Sequence, residues 1–134
     1  MGIKRTRKHK KPLKVNKAVS LKSLQKKAGE LWKAYCLKRD IKCRMCGSSN
    51  ILQVHHVFSR KKKSMFLDTE NGVTLCRQCH SGVTWDDTWR EKLRRLIDPY
   101  MYERLYEQSQ FKGVFKEWKS IAWLEGQIKT LEIL

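Results

Sequence analysis

The sequence predicts an α+β protein: a small hairpin-and-helix motif, clamped at its base by paired cysteines and embedded in flanking α-helices. Three observations predict it. Two C-x-x-C pairs, Cys43/Cys46 and Cys76/Cys79, are separated by 29 residues. Short β-branched and apolar runs lie between the pairs, each of strand length. Apolar residues at helical spacing precede the first pair and return after the second.

Residues 1–19, MGIKRTRKHKKPLKVNKAV, carry eight Lys/Arg and no acid. With no hydrophobic periodicity they read as a disordered basic arm, in which Lys4, Arg5, Arg7, Lys8, Lys10 and Lys11 would order only against phosphates. A nuclear-localisation reading of the same run stays open. From Ser20, a suitable N-cap, the apolar residues Leu21, Leu24, Ala28, Leu31 and Tyr35 predict a helix running to about Asp40. CRMCGSS (43–49) forms a knuckle-like turn, and ILQVHHVF (51–58) reads as a strand. The loop SRKKKSMFLD follows, with Arg60, Lys61, Lys62 and Lys63 in a row. In NGVTLC (71–76), Asn71-Gly72 offers a turn and VTL a short second strand. From about residue 78 to Ile97 the pattern predicts one helix, in which Gly82 is unfavourable by about 1 kcal/mol. Asp98-Pro99 starts another helix, with Asp as cap and Pro in the first turn. Phe115 to Leu134 reads as a last helix. The chain therefore divides into the arm (1–19), a domain (20–110) and a C-terminal helical segment (111–134). The stripe Ile121, Leu124, Ile128, Leu131 must be buried, and two fates are open to it: packing within the chain, or a homodimer seam.

The charge is high and lopsided. The chain has 30 Lys+Arg against 13 Asp+Glu, net +17. Residues 1–66 hold 20 of the basic and 2 of the acidic side chains, so the excess lies in the first half. Such a half points to a polyanion, with nucleic acid the expected partner. No run of about 18 apolar residues exists to span a bilayer, and the arm is not amphipathic, so a membrane partner is not expected. No apolar signal core follows the cationic start, and a soluble, cytoplasmic protein is expected.

Two C-x-x-C turns can complete a tetrahedron of thiolates around zinc, and four protein ligands leave no open position, so this Zn²⁺ would be structural. A redox pair needs one C-x-x-C, not two, and an odd cysteine count in such a chain argues against a disulfide framework. Cys36 is the one left over.

A structural zinc does not use His55, His56, Asn71 or His80, three of the chain's four histidines and an asparagine grouped around the knuckles. The order C-x-x-C, His-His, Asn, C-x-x-C-His resembles the HNH endonuclease family, over about residues 40–84. Within it, FLDTENGVTLCRQCH is most similar to small phage-encoded nucleases, including recombination endonucleases of the Rap/NinG type. The resemblance implies a ββα-metal fold around one divalent ion, with His55 and His80 as ligands, His56 as general base, and Asn71 either orienting His56 through the hairpin backbone or giving a metal oxygen. It implies a cut leaving a 5′ phosphate and a 3′ hydroxyl; histidine and oxygen ligands with open positions suit Mg²⁺ or Mn²⁺, the expected catalytic ion, and sometimes zinc or nickel. An unperturbed imidazole, with a pKa of about 6.5, suits the base's task. The family's further metal histidine, one helical turn after His80, is replaced by Thr84 here. Asp68 and Asp86 are acids that could compensate.

The expected function is a metal-dependent DNA endonuclease or nickase, acting on duplex or branched DNA, with Arg60 to Lys63 gripping the flanking phosphates. The alternative is a non-catalytic zinc-clamped DNA-binding protein. An RNA partner is disfavoured because the aromatics cluster in the flanking helices, where packing explains them. One geometric difficulty attends the paired histidines: neighbours in a strand point to opposite faces, so His55 and His56 reach one site only under special geometry.

Overall fold

The computed structural model describes Gly2 and residues 20–134. The predicted arm, with Lys4, Arg5, Arg7, Lys8, Lys10 and Lys11, lies outside the described residues.

Helix α1 (Leu21–Asp40) begins where Ser20 accepts the Ser23 N–H and ends at Ile41, whose positive φ of 64° stops the helix. Leu24, Ala28, Trp32 and Cys36 recur every fourth residue and form its buried stripe. Strands β1 (Leu52–His56) and β2 (Gly72–Cys76) pair antiparallel, with Leu52 opposite Cys76 and His56 opposite Gly72. Then follow α2 (Arg77–Trp85), α3 (Asp87–Leu96), α4 (Pro99–Ser109) and α5 (Ile121–Ile133).

The hairpin lies between helices. Val54 and His56 face α1, whereas Val73 and Leu75 face α2 and the cysteines. Thus one core joins α1 to α5 and a second joins the hairpin to α2 and α3. The outer edge of β2 is closed by the end of α1. Arg39 donates to the carbonyls of Gly72 and Thr69, both at 2.7 Å, and Asp40 accepts the Thr74 N–H at 3.0 Å. The Arg44 N–H takes the Thr74 carbonyl. Burial works to raise the Asp40 carboxyl, but Arg39 and Thr74 outweigh it and hold it below the usual carboxylate range. Among the described residues the sheet has two strands, and the outer edge of β1 is the one left open.

Several sequence expectations change. The strand read over 51–58 is shorter, and Asn71-Gly72 is not the hairpin turn. Residues 57–71 make the connection, with 3₁₀ turns at Lys63–Met65 and Thr69–Asn71. The helix read through residue 97 breaks at Asp86, which caps α3 by accepting the Thr88 N–H. Gly82 makes that break productive. A Cβ there would lie 2.4 Å from the Trp89 ring, so only glycine lets α3 fold back onto α2. The last helix starts at Ser120, which caps it through the Trp123 N–H, and residues 116–119 form a separate 3₁₀ turn. Of the closing stripe, Leu124, Ile128 and Leu131 are buried against α1 and only Ile121 is exposed, so packing within the chain takes the surface that a dimer seam would need.

Leu124→Ala should therefore lower stability in a urea melt by about 2–5 kcal/mol, the usual range for emptying a closed leucine site. The mass in solution should not change. A variant that alters mass and leaves stability untouched would show the stripe to be an interface between copies.

Candidate active site and metal centre

The open edge of β1 forms the floor of a cleft of about 590 Å³. Lys33 and Leu37 of α1 form one wall and His80 of α2 the other, with Ser59 and Arg60 at the end of β1. Residues 52–56, the whole of β1, line it consecutively. This resolves the geometric difficulty. His55 and His56 do point to opposite faces, but the cleft wraps the free edge where both faces meet.

His56 is held on three sides. Its ring stacks on Trp32 at 4.0 Å and 13° and on Phe66 at 4.7 Å and 29°. Its Nε2 lies 3.0 Å from the Phe66 carbonyl, which can only accept, so Nε2 carries the proton and Nδ1 keeps its lone pair. Burial lowers its pKa to about 4; the Phe66 contact works the other way, and Arg60, Lys33 and Lys63 lower it further. The ring is therefore neutral at physiological pH, and a weaker base than the unperturbed imidazole expected from the sequence.

His55 and His80 meet edge to face, 5.3 Å between ring centres. The His80 Nδ1–H donates to Gln53 Oε1, leaving Nε2 as a free donor atom. Burial, then His80 and His56, bring His55 to about 4, and burial lowers His80 as well. Two neutral imidazoles facing an open cleft fit a divalent ion that completes its shell with oxygen. Thr84, one turn after His80, spends its hydroxyl on the His80 carbonyl. Neither acid compensates: Asp68 pairs with Arg104 at 3.1 Å, and Asp86 caps α3.

Asn71 is fully buried and its amide is committed. Oδ1 accepts the Phe58 N–H at 2.8 Å, and Nδ2 donates to the carbonyls of Phe58 and Met65. These bonds tie the exit of β1 to the loop whose Phe66 carbonyl meets His56.

The basic loop is not uniform. Arg60 lines the cleft and Lys61 is exposed, while Lys62 is half-buried. Lys63 sits over the rings of Phe66 and Trp118, at 4.5 and 5.1 Å, so part of its charge is already engaged.

The donor sulfurs of Cys43, Cys46, Cys76 and Cys79 all lie within 4.8 Å of one another, and Cys46 and Cys76 are 3.6 Å apart. A tetrahedron with Zn–S bonds of about 2.3 Å has edges of about 3.8 Å, so the set fits zinc. Burial raises the Cys43 thiol, but the backbone amides of Cys76, Cys46 and Met45 prevail and bring it to about 6, towards the thiolate a metal needs. Cys36 takes no part. It is buried in α1 beneath Gly72, and burial pushes its thiol up to about 11.

Sequence reasoning missed Lys33, Gln53 and Trp32. Gln53 was within reach, since a strand period of two puts it on the face of His55. Trp32 and Lys33 carried no local signal; only the packing of α1 brings them to the site.

Residues 43–84 match the model of the HNH endonuclease family. The matched segment contains β1, β2, α2 and all four cysteines, and it leaves α1, α3, α4 and α5 outside. With the cysteine cluster at its base, the mixed α+β structure is consistent with the ββα-metal fold. Neither a curated protein nor a solved structure matches the chain.

Two outcomes are expected. Cys76→Ser should lose a zinc that native mass spectrometry finds at one per chain, with collapse of the hairpin's chemical shifts. In protein without added divalent ion beyond that zinc, stability should be full above pH 6.5 and fall as the pH drops towards 4. The unfolded histidines take up protons in that window, whereas folded His55 and His56, at about 4, refuse them. Thermal melts from pH 7 to 4 measure this, and a flat profile contradicts it.

Proposed function

We propose that the protein is a metal-dependent DNA endonuclease or nickase whose general base is His56. The observation that carries this reading is the fixed tautomer of His56: a carbonyl holds Nε2–H, which leaves Nδ1 unprotonated on a ring whose residue lines a cationic cleft. An imidazole tethered in this way can accept a proton from water without first losing one of its own.

In the proposed reaction, Lys33 and Arg60 bind phosphates beside the bond to be cut and draw the backbone along the open edge of β1. His56 Nδ1 takes the proton from a water that attacks the phosphorus in line. The 3′ oxygen departs, leaving a 5′ phosphate and a 3′ hydroxyl. His55 and the free Nε2 of His80 would hold one divalent ion, Mg²⁺ or Mn²⁺ in this proposal. Bound there, such an ion supplies charge stabilisation for the phosphate and the leaving oxygen. Gln53 keeps His80 in the ligating tautomer, and Asn71 and Trp32 keep His56 in place. The cysteine-bound zinc anchors both ends of the hairpin. The finer reading, supported by the phrase FLDTENGVTLCRQCH, is a phage-type nuclease acting on branched recombination DNA in a bacterial cytoplasm.

The test combines supercoiled plasmid and a four-way junction with Mg²⁺ or Mn²⁺, beside His56→Ala. The wild type should nick or resolve one of them. The variant should lose about 10²–10⁴-fold in rate, the usual worth of a positioned base, while binding DNA as before. Equal cutting by His56→Ala overturns its assignment. Binding without cutting in either metal would make the protein a zinc-clamped DNA-binding module.

A further inference from the structure

We infer that the exposed lysine face of α1 is a track for the duplex DNA that flanks the cleft, with Lys22 and Lys26 holding phosphates beyond the one at Lys33. This deepens the proposed function and rests on the cleft being a DNA site. The face lies outside the segment that matches the HNH family.

The helix itself sets the direction. At about 100° per residue, Lys22, Lys26 and Lys33 fall within about 40° of one another, about 120° round the helix from the centre of the buried stripe. All three are exposed, and Lys33 lines the cleft. The other flank of α1 is already taken, since Lys27 pairs with Glu132 of α5 at 3.5 Å. On the cleft side the charge is thickened from the loop. Phe66 packs against Gly29, and Lys63 sits over the Phe66 ring, so its ammonium belongs to the same surface.

The dimensions suit one partner. Lys22 and Lys33 are eleven residues apart, about 16 Å along the axis. A DNA duplex rises 3.4 Å per base pair along its axis, so a row of that length laid along the duplex reaches over about five base pairs, or half a turn. Eight further Lys/Arg precede α1 in the sequence. The acid on this face is Glu30, whose contact with Lys26 is 4.0 Å between exposed groups. Such a pair is weak and yields readily to a phosphate. A row of cations of this length, ending at the cleft, is matched by the phosphates that one side of a duplex presents.

The experiment measures binding of the full, zinc-loaded chain to a labelled 30-base-pair duplex as a function of salt, without magnesium or manganese. The variants are Lys22→Gln/Lys26→Gln and, as an equal-charge control, Lys38→Gln/Lys129→Gln. Both pairs are exposed, and Lys38 lies on the far side of α1. The track variant should reduce the log–log salt slope by about 2, since each phosphate contact in B-DNA contributes about 0.9. The control should keep the wild-type slope. An unchanged slope in the track variant, or an equal fall in both, overturns the track. Cleavage assayed separately distinguishes the two claims. A track-dependent slope in a protein that cuts nothing leaves the track standing and removes the nuclease reading. Normal cutting with an unchanged slope does the reverse.

Discussion

A two-stranded sheet has two edges, and the rest of this structure depends on how they are used. The outer edge of β2 is sealed by Arg39, Asp40 and the Arg44 amide, so it offers nothing to solvent or to another strand. The edge of β1 stays open and becomes the floor of the cleft. Because a strand presents its two faces alternately, an open edge flanked by a helix on each face gathers side chains that a closed sheet would keep apart. His56 is held from the α1 side and His55 meets His80 on the α2 side, yet both line one cleft.

That arrangement relies on close approach at Gly72, the partner of His56 across the hairpin. A Cβ there would lie 2.6 Å from both Cys36 Sγ and the Trp32 ring. Without it, Trp32 passes over the strand, stacks on His56, and donates its indole N–H to the Asp68 carbonyl at 2.8 Å. One side chain of α1 thus fixes the ring and the loop that holds the ring. Arg104 of α4 steadies the same loop through Asp68 and Glu70. The segment matching the HNH family carries the histidines and Phe66, and Trp32 of α1, outside it, completes the stack on His56.

Much of this was legible in the sequence, for physical reasons. The cysteine pairs name their own geometry, because a thiolate tetrahedron needs two turns of that spacing. The start of α1, the cap at Asp98 and the existence of β2 follow from caps, periodicity and short β-branched runs. What was illegible depended on distance along the chain. The break at Asp86 is set by Trp89 packing on Gly82, and Trp89 has no meaning as a sequence signal until α3 folds back. Asn71 looked like a turn residue because Asn-Gly commonly is one. Its actual place, stapling Phe58 to Met65, needed a fifteen-residue connection with two 3₁₀ turns, which no local rule supplies. Lys33 read as one solvated lysine among many until the cleft placed it.

The central claim is that His56 is held as a neutral base with its proton on Nε2. Nitrogen-15 NMR of the histidine rings in the zinc-loaded protein at pH 7 tests it most directly. The account predicts that His56 shows a protonated Nε2, bonded to the Phe66 carbonyl, and an unprotonated Nδ1. A proton on Nδ1, or rapid averaging between the two nitrogens, would contradict it: the ring would then lack the tether on which the proposed water activation depends.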